Sequence, residues 1–271
     1  MKVLILGASG FLGSKVFYRM KSESDFNVLG TCFQSNNSDD FIKLDVTIDE
    51  KIKSILFEFK PDIILWSLMS RENEKDLIDR GLNNILKYLS PKQKLIFIST
   101  NAVFRGNLSK GYYSEDDEPK YKNTSEPLDL YANAKIYGEK LVQQHYNSII
   151  IRPGAIYGQD ISGKWDKRIS ELIKKNEHQE EIVRTKNLYN TFVKVDELAT
   201  AIIKLIKLDY KGIIHLGPEK KESYYDYYRK IAYKLNLNSS LIKSNVISEA
   251  LDLSLNTSKC VGLLGKIFSN I

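Results

Sequence analysis

Cysteine is nearly absent from this chain. Cys32 and Cys260 are the only two in 271 residues. They stand far apart and match no metal-ligand spacing, which excludes a disulfide scaffold and a cysteine-based zinc module and leaves no metal site to expect. A reducing cytoplasm is the expected compartment. Long apolar runs are missing too. Met1 and Lys2 lead into VLIL, too short for the core of a signal peptide, and no later run approaches the ~20 residues of a membrane span. Charge of one sign is not concentrated anywhere: 40 basic residues oppose 34 acidic ones. With no basic stripe, finger or arm, nucleic acid is not the expected partner, whereas the mild positive excess suits a small anionic substrate. Internal repeats and low-complexity linkers are also lacking.

What is present is a rhythm. KVLIL (2–6) reads as a short buried strand. GASGFLG follows, then a helix over KVFYRMK and a second strand, NVLGTC (27–32). The polar run QSNNSDD is a loop, FIKLDV (41–46) a third strand and IDEKIKSILFEF (48–59) a helix. PDIILWSL (61–68) and KLIFIST (94–100) are further strands, separated by a helix over 77–89. Uniformly apolar strands alternating with amphipathic helices predict an α/β fold, a Rossmann-type doubly wound parallel sheet. Residues 105–127 have no period and are long for a connection, which marks a functional loop. A helix over 128–145 and a strand in 147–154 follow. An amphipathic helix (164–176), a strand-like piece with a helix (192–206), a strand (212–217) and a tyrosine-rich helix (224–236) complete the pattern. The later elements return to the sheet, so two units are expected: 1–154 with 191–217 for a dinucleotide, and 155–190 with 218–271 as a smaller, discontinuous substrate lobe.

Gly7, Gly10 and Gly13 fall between the first strand and the first helix. Glycines there allow a tight turn, close approach of the backbone to a pyrophosphate and close helix–sheet packing, with the helix N-terminus facing the phosphates. After the second strand, Thr31, Cys32, Phe33, Gln34 and Ser35 contain no acid for a ribose and no arginine for a 2′-phosphate. Asp45 either reaches an adenine amino group or caps the next helix.

In YANAK, Tyr131 and Lys135 stand four apart on one helix face. A cation beside a phenol favours the phenolate, so such a tyrosine can pass a proton to a carbonyl oxygen or take one from an alcohol. By itself the pair reads more readily as helix surface than as a catalyst. Ser99 and Thr100 end a parallel strand, at the sheet edge where such folds bind ligands. Thr100 there is either a strand-end cap or a hydroxyl for the substrate oxygen.

GASGFLG, LDVT (44–47), KPDIIL (60–65), FISTNAVF (97–104), Tyr112 with Glu115, YANAK, GEKLV (138–142) and IIRPGAIYG (150–158) together resemble the extended short-chain dehydrogenase/reductase family. The resemblance covers about residues 1–217. Within that family the chain is similar to the dTDP-4-dehydrorhamnose reductase branch and the NAD-dependent epimerases. The resemblance implies NADP or NAD as cofactor, with Tyr131 as proton donor, Lys135 orienting the nicotinamide ribose and lowering the tyrosine pKa, and Thr100 polarising the carbonyl. It further implies cofactor contacts from Gly7, Ser9, Gly10, Phe11, Leu12, Gly13, Asp45, Val46, Ser67, Ser99, Tyr131, Lys135 and Arg152. Lys194, Val195 and Asp196 match a V-x-D element near the second lobe, and a homodimer is a common arrangement in the family.

Three departures stand out. STNAVF replaces the branch's usual S-T-D-Y-V-F, so Asn101 and Ala102 border the substrate. WSLMS (66–70) replaces a small polar stretch, so Trp66 and Met69 either narrow the cofactor channel or pack the sheet. The family's asparagine in the next helix is missing at Ile78 and Asp79. For the substrate, Lys164, Trp165, Arg168, Arg184 and Lys186 are candidates for an acidic nucleotide diphosphate, and Asn187 and Tyr189 for a sugar or base. The expected activity is reduction of a 4-keto nucleotide-activated deoxysugar. The alternatives are epimerisation or dehydration of a nucleotide sugar, and a non-catalytic nucleotide-binding regulatory subunit.

Overall fold

In a computed structural model, the structure describes residues 1–34, 39–70, 73–107 and 109–271. Residues 35–38, inside the run read as a loop after the second strand, lie outside the described residues. In chain order the first half holds β1 (Lys2–Leu6), α1 (Phe11–Lys21), β2 (Asn27–Cys32), β3 (Phe41–Lys43), α2 (Asp49–Phe59) and β4 (Ile63–Trp66). It continues with α3 (Glu74–Tyr88), β5 (Lys94–Ile98), a 3₁₀ helix (Asn101–Gly106), α4 (Pro127–Val142) and β6 (Ser148–Pro153). Then come β7 (Ala155–Tyr157), α5 (Lys167–Glu177), β8 (Ile182–Thr185), β9 (Leu188–Asn190), β10 (Phe192–Lys194), α6 (Val195–Lys207) and β11 (Gly212–Leu216). The tail adds β12 (Glu222–Ser223), α7 (Tyr224–Lys234), β13 (Ile242–Asn245), β14 (Leu251–Asp252) and α8 (Ser258–Leu264).

Seven strands form one parallel sheet in the order β3-β2-β1-β4-β5-β6-β11. Alternation along each strand divides the core in two. Val3, Ile5, Leu65, Ile96, Ile151 and Ile214 face α1 and α6, while Leu4, Leu6, Ile64, Trp66, Leu95 and Phe97 face α2, α3 and α4. Both faces are covered, which is why these strands read as continuous apolar runs rather than alternating ones. The strand order reverses at β1 and β4, and in such sheets ligands bind beyond the carboxyl ends of the strands at that reversal.

The third strand is shorter than its sequence suggested. It stops at Lys43 because Asp45 accepts hydrogen bonds from the Thr47 backbone N–H (3.0 Å) and hydroxyl (2.7 Å), turning the chain into α2. The smaller C-terminal part is irregular and built on three short sheets, β8 with β13, β9 with β12 and β14, and β7 with β10. Its core gathers Tyr157, Phe192, Tyr227, Tyr228 and Ile231, with Phe192 stacked on Tyr227. Tyr227 and Tyr228 of α7 thus pack inward, with Tyr224 and Tyr225 half-buried beside them, whereas Tyr233 faces outward. Asp196 ties α6 to α1 through Lys15 (3.2 Å) and Arg19 (2.9 Å).

Candidate active site

A cavity of about 640 Å³ opens beyond the ends of β1, β4 and β5. Its floor is the glycine-rich turn: Gly7, Ser9, Gly10, Phe11 and Leu12 line it, with Phe33, Ser67, Leu68 and Met69 beside them. Gly7 has φ +84, and a Cβ there would sit 2.8 Å from the Ser67 carbonyl oxygen. Gly13 does not line the cavity. A Cβ on it would fall 2.2 Å from the Gly7 carbonyl, so its role is to let α1 close down on the turn. α1 has Gly10 at its N-cap position, so it has no side-chain cap, and its first turn holds no acidic residue. Its first N–H groups are therefore left for an anion, as a dinucleotide pyrophosphate requires.

The other wall carries hydroxyl, phenol and ammonium groups. β5 delivers Ser99 and Thr100, and α4 delivers Tyr131 and Lys135, all lining the same cavity. Thr100 Oγ1 accepts from the Ala102 N–H at 3.1 Å, so it caps the 3₁₀ helix and still has its own O–H to donate. Lys135 is 2% exposed, and its ammonium donates to the Ile98 carbonyl (3.2 Å) and the Leu68 carbonyl (3.4 Å) and pairs with Glu74 Oε1 at 2.9 Å. Its nitrogen lies 5.7 Å from the Tyr131 ring centre. The net effect on Tyr131 differs from the expected lowering. Burial pushes the phenol up; Lys135 pulls it down, Glu74 opposes Lys135, and Thr100 adds a smaller downward pull, so the balance stays above the ordinary value.

Other expected residues go elsewhere. Arg152, expected at the cofactor, is 1% exposed and pairs with Glu139 at 2.7 Å, with His215 beside it. It faces the sheet interior because β6 alternates it inward, and it does not line the cavity. Ser99 spends its hydroxyl on Glu139. Asp45 and Val46 are not among the lining residues: Asp45 holds the turn before α2, and Val46 packs in the core. Trp66 is fully buried against Phe97, so it packs the sheet, while Met69 lines the cavity. Asn101 and Ala102 do line it, Asn101 being held by Asn190 (2.6 Å) and the Leu253 carbonyl (2.8 Å).

Lys164, Trp165, Arg184 and Asn187 do not line it. Lys164 is exposed, and Trp165 pairs across to Gln159. Arg184 lies over Tyr228 and near Glu171, and Asn187 brackets Ile247. Residues that sequence reasoning missed are Glu74, Arg105, Leu128, Leu188, Asn190, Tyr224 and Leu253. Most come from the irregular C-terminal part, where no motif marks them. Among the described residues, no cluster of His, Cys, Asp and Glu could hold a metal ion, and no helix is long and apolar enough to cross a membrane.

A glycine turn under an uncapped helix, facing a tyrosine, lysine and threonine across one cavity, defines the NAD(P)-binding oxidoreductases and epimerases built on a Rossmann-type sheet. The chain belongs to the NAD dependent epimerase/dehydratase family, whose model matches residues 3–217. It is 22% identical over 271 residues to a probable low-salt glycan biosynthesis reductase, Agl14, of Haloferax volcanii, covering 92% of this chain and 85% of that one. In structure it is similar to a hypothetical dTDP-4-dehydrorhamnose reductase from Sulfolobus tokodaii, with a TM-score of 0.82 and 24% identity over 100% of this chain and 98% of the other. It is likewise similar to the Bacillus anthracis dTDP-4-dehydrorhamnose reductase in complex with NADP, with a TM-score of 0.77 and 21% identity over 100% and 93%. At these identities the structural likeness establishes the fold.

Proposed function

We propose that the protein is an NAD(P)-dependent reductase of a 4-keto nucleotide-activated deoxysugar. The observation that carries this reading is the convergence of Thr100 and Tyr131 on the cavity that the glycine turn opens into. The division of labour follows the chain: residues 1–154 with 191–217 hold the dinucleotide, and 155–190 with 218–271 cover the sugar nucleotide.

A bound nicotinamide dinucleotide supplies the hydride. The chain supplies the rest. The Thr100 hydroxyl donates a hydrogen bond to the ketone oxygen and draws electron density onto it. Tyr131 gives its phenolic proton to that oxygen as the alcohol forms, and a phenol held above its ordinary pKa remains loaded for this step at neutral pH. Lys135 keeps a positive charge beside the phenolate that is left. Leu188 and Leu253 give the wall an apolar surface.

The test is a panel of 4-keto nucleotide sugars with NADH and NADPH, followed by the loss of absorbance of the reduced cofactor. Stoichiometric consumption that disappears in Tyr131→Phe supports the reading. Isomerised sugar without net consumption supports the epimerase instead. No turnover of any sugar, with cofactor still bound, supports a regulatory binding subunit.

A further inference from the structure

We infer that Arg105 is the anion-binding residue of this cavity and takes the phosphate next to the sugar. This rests on the nucleotide-sugar reading above and names the group that would recognise that substrate's charge.

Among the described residues lining the cavity, Lys135 and Arg105 are the charged ones. Lys135 is already engaged by Glu74 and two carbonyls. Arg105 is engaged differently. Its Nε donates to Asp129 Oδ1, and Asp129, at 1% exposure, is also held by the Thr124 hydroxyl at 2.7 Å and the Lys122 ammonium at 3.5 Å. The carboxylate therefore fixes the edge of the guanidinium, while its two terminal nitrogens carry no hydrogen bond to any described residue. Those nitrogens form the fork that matches phosphate oxygens.

Position agrees with charge. Arg105 lies five residues beyond Thr100 along the 3₁₀ helix. At a rise of about 2.0 Å per residue this is roughly 10 Å. That is about the reach from a carbonyl held at Thr100, across a sugar ring, to a phosphate on the anomeric carbon. Leu128, Leu188 and Leu253 line the same cavity, and such apolar walls strengthen a charge-assisted bond. The cations that the sequence offered for this task are elsewhere: Lys164 is exposed, Arg168 binds Asp166 and the Ile156 carbonyl, Arg184 lies against Tyr228 and Glu171, and Lys186 lies over Tyr225.

The experiment is calorimetric titration of the full chain with dTDP, UDP, GDP and CDP, and with the four matching nucleosides as uncharged controls. Wild type, Arg105→Gln and Arg105→Lys are compared. Expected are a preference for diphosphate over nucleoside in wild type, a loss of about 10- to 100-fold for the diphosphate in Arg105→Gln, unchanged nucleoside and NADPH binding, and partial recovery in Arg105→Lys. Diphosphate binding by Arg105→Gln at wild-type strength overturns the assignment and leaves the reductase reading standing. Failure of wild type to prefer any diphosphate over its nucleoside overturns both. Should Arg105→Gln not fold, Arg105→Lys decides. Because it keeps the positive charge and the partner for Asp129 but lacks the fork, undiminished diphosphate affinity in it refutes the assignment.

Discussion

Lys135 Nζ lies 2.9 Å from Glu74 Oε1, and both side chains are nearly out of solvent, at 2% and 4% exposure. The lysine that is meant to favour the Tyr131 phenolate thus shares its charge with a carboxylate at the start of α3. Glu74 also accepts from the Ser70 N–H, which fixes it in place. Removing its charge in Glu74→Gln leaves the Lys135 pull less opposed, so the Tyr131 pKa falls. The alkaline rise in alcohol oxidation, which needs the phenolate, then moves to lower pH, as a pH–rate profile of the reverse reaction reads out. Breaking a buried pair also destabilises the chain, by about 3 kcal/mol or more in chemical denaturation.

Tyr131→Phe removes the transferable proton and little else, since the ring remains to pack. Reductive turnover is expected to fall about 10²- to 10⁴-fold. NADPH binding, measured by quenching or energy transfer, stays within about twofold because the glycine turn is untouched. Loss of cofactor binding in this variant would place Tyr131 in the cofactor cradle rather than in proton transfer.

Gly7→Ala tests the cradle directly. Its φ of +84 strains any L side chain, at about 1–3 kcal/mol, and the new methyl group would sit 2.8 Å from a backbone oxygen that cannot swing away. The turn must shift, so NADH and NADPH both weaken by at least about tenfold in fluorescence titration. Equal affinity for wild type and variant would mean that the dinucleotide does not lie over this turn.

His215 is fully buried, and burial, with the Arg152 charge beside it, pushes its pKa down to about 3. The unfolded chain takes up a proton near pH 6.5 that the folded chain refuses. The contribution is therefore complete above about pH 6.5 and declines as pH falls toward 3, by roughly 1.4 kcal/mol per pH unit. Urea denaturation at pH 7.0 and 5.5 measures this: wild type loses more stability than His215→Gln over that interval. Equal losses would show that the histidine is not excluded from protonation.

The parallel sheet was legible because its strands are buried on both faces, and burial writes itself as unbroken apolar runs such as KVLIL and KLIFI. The glycine turn was legible because close backbone approach leaves a residue-type signature. Glu74 was not. In RENEK it is one charge among several on a polar stretch, and only the packing of α3 against α4 turns it inward to Lys135. The same holds for Arg105, read as the edge of a loop until Asp129 fixed it from a helix 24 residues on.

By itself the sequence determined the α/β architecture, the glycine-rich turn and the spacing that puts Tyr131 and Lys135 on one helix face. These depend on local periodicity and on residues whose backbone freedom is fixed by chemistry. Tertiary structure decided which charges meet. It withdrew Arg152 into an ion pair with Glu139, kept Lys164 and Arg184 away from the cavity and brought Arg105 into it. An isolated charge in sequence carries no record of burial, and its role is set by the dielectric and the partner that the fold supplies.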